Sequence, residues 1–90
     1  MIKQKVEIVN PEGLHARPAA ALVKLSSKFE SEFYIHMYGY QVNGKSILGV
    51  MTLAAEQGAE LELEVNGPDE EAAMEAITEL IENGFKLEEE

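Results

Sequence analysis

Hydrophobic and polar residues alternate in three segments of the chain, and this alternation predicts β-strands. Over residues 2–9 the apolar side chains fall on one face, and two lysines and a glutamate fall on the other. Residues 33–38 and 60–65 repeat the pattern, the latter with glutamates alternating with leucines and a valine. Strands of this kind belong to a sheet with one covered face and one wet face. A fourth, short strand is expected over residues 41–43.

Three other segments carry apolar residues at helical spacing. One covers residues 16–27, and a second, shorter one follows Ser46, which is a favourable N-cap residue type. We expect this second helix to end at residues 57–58 and to bury a stripe formed by Ile47, Val50, Met51 and Ala54. The third helix follows a turn at residues 66–69, and Gly84 is placed to cap its C-terminus.

The predicted order of elements is strand, helix, strand, strand, helix, strand, helix. One-sided strands and amphipathic helices predict a two-layer α+β fold, with the helices on one face of the sheet and water on the other. The chain has 90 residues, which is the size of one domain. We therefore expect a single domain over residues 1–90.

Composition and charge argue against several function classes. Seventeen acidic and seven basic residues give a net charge of −10, a poor match to nucleic acid or an anionic membrane. The chain has no cysteine, which excludes disulfides and a thiol nucleophile, and its two histidines argue against a metal site. The first residues lack the apolar core of a signal peptide, and no apolar run approaches the ~20 residues of a membrane span. A cytoplasmic protein without membrane insertion or cofactor is expected.

Residues 13–18, Gly-Leu-His-Ala-Arg-Pro, place a histidine where a turn meets a helix. The amides of Ala16 and Arg17 fall in the first helical turn, where an N–H has no intrahelical acceptor, so they can bind an anion. Arg17 adds a guanidinium that suits phosphate oxygens. The positive helix N-terminus favours the neutral, nucleophilic form of His15. A helix cap is the simpler interpretation of a histidine or an arginine alone; the complete segment favours a phosphoryl acceptor that needs no metal.

Ser46 and its neighbours have two interpretations each. As an N-cap, the Ser46 hydroxyl holds a first-turn amide, worth ~1 kcal/mol; as a phosphorylation site, it would gain a charge of about −1.5 to −2. Local chemistry favours the cap. Ile47 is expected to begin the buried stripe, whereas Leu48 lies off it and is either an exposed partner contact or partly buried. His36, on a predicted strand, is expected to be solvated or locally hydrogen-bonded.

The chain resembles the HPr family, the histidine-containing phosphocarriers of the phosphoenolpyruvate-dependent sugar phosphotransferase system. The resemblance covers essentially the whole chain and is strongest at residues 13–18 and 45–51, the latter reading Lys-Ser-Ile-Leu-Gly-Val-Met. It implies an open-faced β-sandwich, in which three helices pack on one face of a four-stranded antiparallel sheet in the order β-α-β-β-α-β-α.

The resemblance also implies a function. His15 would accept a phosphoryl group on Nδ1 from phosphorylated enzyme I and pass it to the A components of sugar permeases, and Arg17 would contact the phosphoryl group. Ser46 matches the family's regulatory serine, which in Gram-positive bacteria is phosphorylated by an ATP-dependent HPr kinase/phosphorylase and then promotes binding to a catabolite repressor. Ile47 and Leu48, next to Ser46, are the expected partner contacts.

A phosphocarrier in sugar uptake is thus the leading hypothesis. A regulatory module is the alternative, either in a nitrogen-type phosphorelay or acting mainly through Ser46, since the same His15 would serve both. A free-standing enzyme, such as a small phosphatase, is disfavoured because no second acid–base group is evident beside His15. A carrier that docks on several partners is expected to be a monomer. One departure from the family pattern, Gly44 in place of a larger residue, is expected to loosen the approach to Ser46.

Overall fold

The computed structural model describes residues 1–86, which form four strands and three helices in the predicted order. The strands are β1 (Ile2–Glu7), β2 (Glu32–Met37), β3 (Tyr40–Asn43) and β4 (Glu60–Asn66); the helices are α1 (Ala16–Ser26), α2 (Ile47–Thr52) and α3 (Glu70–Glu82). The sheet has the order β1-β4-β2-β3, and all neighbouring strands are antiparallel. The expected α+β class and open-faced sandwich are confirmed.

The two faces of the sheet differ as the alternation predicted. On the wet face, Lys3 lies opposite Glu64 and Lys5 opposite Glu62, which pairs opposite charges across β1 and β4. On the covered face, the apolar residues of the central strand β4 are fully buried. Burial on one face fixes the register, because a slip by one residue would turn the glutamates of β4 into the core.

The core lies between the covered face of the sheet and helices α1 and α3. Its largest fully buried side chains come from both layers and include Leu14, Leu22, Phe33, Ile35, Leu61, Leu63, Ile77 and Ile81. Leu14 belongs to neither a strand nor a helix, and it is 2% exposed. The residue directly before His15 is therefore anchored in the core.

Helix α2 is shorter than the sequence predicted and buries less. It ends at Thr52, because Ala54 adopts a left-handed conformation with a φ of 51° that a helix cannot continue. Val50 is fully buried, but Ile47 and Met51 are 43% and 39% exposed and Ala54 is exposed as well, so the expected burial of these three residues is wrong. A helix of six residues spans less than two turns and covers the core with a narrow face only.

Gly44 is held tightly, contrary to the expectation that it loosens the approach to Ser46. Its N–H donates to the Phe33 carbonyl at 2.8 Å, and a Cβ there would lie 2.2 Å from the Phe33 ring. The absence of a side chain lets the chain pass directly over a buried aromatic ring just before α2 begins.

Candidate functional site

His15 is the N-cap residue of α1, and its imidazole is exposed. Its backbone is extended, with φ −78° and ψ −173°, and its side chain makes no capping hydrogen bond. Gly13 and Leu14, directly before it, are both buried. A fixed backbone therefore presents a ring that the helix itself does not use, and this rules out the simpler interpretation of His15 as a side-chain cap.

Two backbone amides remain open at the same helix end. The Ala19 N–H donates to the His15 carbonyl at 2.9 Å, which is the first bond of the helix, and Pro18 has no N–H. Only the N–H groups of Ala16 and Arg17 are left, and among residues 1–86 neither has an acceptor. Open amides and the helix dipole at one helix end are features that suit an anion, so this geometry is consistent with the sequence prediction.

The Arg17 guanidinium is not free. Its Nη2 donates to the Glu12 carboxylate in a close ion pair, with side chains that are 78% exposed for Arg17 and 35% for Glu12. The pKa of Glu12 is lowered, chiefly by a hydrogen bond from its own backbone and next by one from Asn10; the charge of Arg17 lowers it further, against the effect of partial burial. Glu12 and Arg17 thus form a charged pair directly around the segment that carries His15.

The turn before His15 is fixed by its own hydrogen bonds and by the end of α2. The Gly13 N–H donates to the Asn10 carbonyl, and the buried Asn10 amide donates back to the Gly13 carbonyl at 3.0 Å. The Leu14 N–H donates to the Ala55 carbonyl at 2.9 Å. Gly13 has a φ of +67°, and a Cβ there would lie 2.4 Å from the Ala55 oxygen, so only glycine fits.

Helix α2 presents an apolar surface beside this site. Leu48 is 79% exposed, which excludes its interpretation as a partly buried residue, and Ile47 and Met51 are exposed with it. We call these three residues the α2 patch. A shallow depression lined by His15, Met51 and their neighbours joins the patch to the imidazole. A partner that covers the α2 patch would therefore also cover His15.

Ser46 begins α2 as its N-cap, as the sequence predicted. Its Oγ accepts the Gly49 N–H at 3.1 Å, and its backbone is extended, with φ −112° and ψ 118°. The hydroxyl is partly exposed next to the α2 patch. The structure thus places Ser46 and His15 near opposite ends of one surface.

The other histidine has a local partner. The ring of His36 lies on the wet face of the sheet, where its Nε2 is 2.8 Å from Glu64 Oε1, as expected for a locally bonded strand histidine. Two residues at the site were missed by sequence reasoning. Met51 was assigned to the core, and Glu12 was not singled out, although an opposite charge five residues before Arg17 was a visible signal.

An open-faced α+β sandwich that presents an exposed histidine at a helix N-terminus, with open amides and an arginine beside it, defines a small phosphocarrier protein. Comparison with known proteins supports this class. The family model described as "PTS HPr component phosphorylation site" matches residues 2–83. The Phosphocarrier protein HPr of Treponema pallidum is 49% identical over 98% of this chain and 100% of its own length.

Solved structures agree with the sequence comparison. The crystal structure of HPr-C-His from Thermoanaerobacter tengcongensis superimposes with a TM-score of 0.93 at 44% identity, covering 99% of this chain and 100% of the other. A crystal structure of an HPr dimer from the same organism has a TM-score of 0.77 at 44% identity, with 97% and 100% coverage. The chain belongs to the HPr family, and its general role is that of a phosphocarrier of the phosphotransferase system.

Proposed function

We propose that His15 is the phosphoryl acceptor of this carrier, that phosphorylated enzyme I is its donor, and that the A components of sugar permeases receive the group. The observation that carries the proposal is the exposed His15 ring at the α1 N-terminus, beside Arg17 and the open amides. The family role fixes the kind of chemistry, and this is the one place in residues 1–86 where a histidine is combined with open amides and an arginine.

The transfer needs only a lone pair and a stabilised product. The neutral His15 ring attacks phosphorus through Nδ1, and the bond between phosphorus and the donor atom breaks with its electron pair staying on the donor. The Ala16 and Arg17 amides and the Arg17 guanidinium then face the new dianion. Onward transfer is the same step in reverse direction, with the electron pair returning to Nδ1. Chain and partner together form the complete reaction site, so this protein acts as a carrier and not as a free-standing catalyst.

The α2 patch is the proposed partner-docking surface. Ile47, Leu48 and Met51 are exposed apolar residues next to His15, and burial of such a patch stabilises a complex. A phosphate on Ser46 would place a charge of about −1.5 to −2 at the edge of this patch. We therefore infer that Ser46 phosphorylation weakens docking of enzyme I; where the source organism has them, an HPr kinase/phosphorylase and a catabolite repressor would act through the same serine.

The setting of the carrier is part of the proposal. It works in the cytoplasm. It works as a monomer, because one small surface must stay free to serve several partners in turn. Among residues 1–86 no helix has the length and apolar character needed to cross a bilayer. Size-exclusion chromatography with light scattering tests the monomer, and a stable dimer that covers the α2 patch would contradict it.

The deciding experiment measures phosphoryl acceptance directly. The protein is incubated with phosphoenolpyruvate, Mg²⁺ and purified enzyme I, and its intact mass is measured before and after acid and base treatment. One acid-labile, base-stable phosphate is expected. It should disappear in His15→Ala and remain in His36→Ala, the matched control that removes the other histidine. A label that survives in His15→Ala, or is lost in His36→Ala, would overturn the assignment.

The same assay separates the alternative of a regulatory module. Addition of an A component of a sugar permease should discharge phosphorylated His15. Discharge only by a component of a nitrogen-type phosphorelay would instead favour the regulatory branch with the same histidine.

A further inference from the structure

We propose that Glu12 is a positioning residue that competes with the phosphoryl group for Arg17 and thereby makes phosphorylated His15 a better donor. The observation is the close ion pair between Arg17 Nη2 and Glu12 Oε2 in the unphosphorylated chain. The inference rests on the proposed function, because it assigns a role to Arg17 in stabilising phosphate on His15.

Glu12 is held in place for this role. It lies in a turn whose two sides are joined by the mutual hydrogen bonds of Asn10 and Gly13, and Asn10 is 5% exposed. The turn is further fixed where Gly13 meets the Ala55 carbonyl. Arg17, by contrast, extends from the first turn of α1 on a long, 78% exposed side chain. The carboxylate is therefore the fixed member of the pair, and the guanidinium is the member that can turn.

Glu12 and Arg17 also flank His15 closely along the chain. Glu12 precedes the imidazole-bearing residue by three positions, and Arg17 follows it by two in the first turn of α1, so the ion pair lies next to the acceptor. When His15 carries a phosphoryl group, that region gains two negative charges close to the Glu12 carboxylate. Arg17 must then leave Glu12 for the phosphate or divide its donors between the two anions.

Either outcome reduces the stabilisation of the phosphorylated form. Arg17 already makes a favourable interaction with Glu12 before the phosphoryl group arrives. Its interaction with phosphate therefore lowers the free energy of the phosphorylated form by less than that of an arginine without a partner would. A carrier benefits from this balance because it has to give up the group that it accepts. A permanently available Arg17 would hold phosphate on His15 and slow its onward transfer.

The test is an equilibrium in which two chains exchange phosphoryl groups through enzyme I. One is the unlabelled variant Glu12→Gln, and the other is the ¹⁵N-labelled chain without the substitution. The two chains are mixed with catalytic enzyme I, Mg²⁺ and less than one equivalent of phosphoenolpyruvate. Intact-mass spectrometry then gives the phosphorylated fraction of each. We expect the ratio of phosphorylated to unphosphorylated chain to be about two- to fivefold higher for Glu12→Gln than for the unsubstituted chain. The effect is modest because exposed ion pairs are weak. Discharge of the variant to an acceptor protein should slow correspondingly.

Two controls isolate the mechanism. Glu32→Gln changes the net charge equally but lies on β2 opposite Asn66, at the far end of the sheet from the turn, and should give a ratio of one. Introducing Glu12→Gln into Arg17→Gln tests whether Glu12 acts through Arg17, as a double-mutant cycle. In that background the effect of Glu12→Gln should vanish.

Several results would overturn the proposal. One is a phosphorylation equilibrium for Glu12→Gln that is equal to or less favourable than that of the unsubstituted chain. Another is a gain for Glu32→Gln as large as that for Glu12→Gln. A third is an undiminished effect of Glu12→Gln in the Arg17→Gln background, which would indicate direct repulsion between Glu12 and phosphate. Failure of the proposed function is distinct, because then no phosphate would appear on His15 in any of the chains.

Discussion

Substitution of Gly13 by alanine should destabilise the fold and displace the turn that leads into His15. The residue has a φ of +67°, where an alanine costs about 1–2 kcal/mol by conformation alone. Its Cβ would also lie 2.4 Å from the Ala55 carbonyl oxygen and 3.0 Å from the Glu56 Cα. These are backbone atoms that cannot turn away, so a forced shift should add about 1–3 kcal/mol. We expect a total loss of about 2–5 kcal/mol, against a typical stability of about 5–15 kcal/mol.

Gly39→Ala is the matched control for this prediction. Gly39 also has a left-handed backbone, with a φ of +80°, but a Cβ there would meet no atom within 4 Å. Only the conformational cost remains, about 1–2 kcal/mol. Urea unfolding of both variants, with equal slopes required for the comparison, gives the difference between them, which is the cost of the contact with Ala55.

The two variants should also differ in phosphoryl transfer. Gly13→Ala shifts the backbone that carries His15, so its rate of phosphorylation by enzyme I should fall even where the protein is fully folded. Gly39→Ala lies in the β2–β3 turn and should react at the normal rate. If Gly13→Ala were as stable as Gly39→Ala to within about 0.5 kcal/mol, the Ala55 contact would be easily relieved and the argument that it fixes the turn would be refuted.

Three further predictions follow from other contacts. The Asp69 carboxylate accepts hydrogen bonds from the Ser31 hydroxyl and from the Ser31 and Glu30 amides, which lower its pKa, the hydroxyl most. The carboxylate's contribution to the free energy of unfolding is complete above the ordinary pKa of about 4 and is lost as the pH falls through the lowered value. In Asp69→Asn the free energy of unfolding should therefore fall less steeply at acid pH, as measured by urea unfolding at a series of pH values. Ser46→Ala should cost about 1 kcal/mol through loss of the cap in thermal unfolding, whereas Ser46→Asp should keep the cap and weaken binding of enzyme I in calorimetry. Leu48→Ala should leave stability within about 0.5 kcal/mol and weaken the same binding, and unchanged affinity would remove Leu48 from the interface.

The fold was predictable from the sequence because its signals are local and agree with one another. The Glu–Leu alternation of β4 identifies a half-buried strand, and the one-sided stripe of α1 identifies a helix that covers it. The C-terminal cap of α3 followed in the same way from Gly84, which has a φ of +80° and is followed by a Phe85 N–H that donates to the Leu80 carbonyl.

The errors concern contacts that no local pattern encodes. Apolar residues at helical spacing in α2 were assigned to the core, but a helix this short has room to bury only Val50 and leaves Ile47 exposed. The helix ends early where Ala54 turns left-handed, and the next residue, Ala55, uses its carbonyl to accept the Leu14 amide from a distant part of the sequence. The pairing of Glu12 with Arg17 is a different kind of omission, because the two residues are only five apart and their opposite charges were visible in the sequence.

The location of the site explains how so acidic a chain can handle phosphate. A net charge of −10 repels an anion at long range, so the attraction has to come from groups within a few ångströms. Arg17 lies in the first turn of α1 beside the open amides, and it lines a groove that is also lined by Lys24, from the last turn of the helix, and by Lys86. Glu12 lines the same groove and partly offsets them. If His15 is the acceptor as proposed, a site built from short-range donors and moderated by one carboxylate would stabilise phosphate while it is in contact with the imidazole and would give little resistance once a partner removes it.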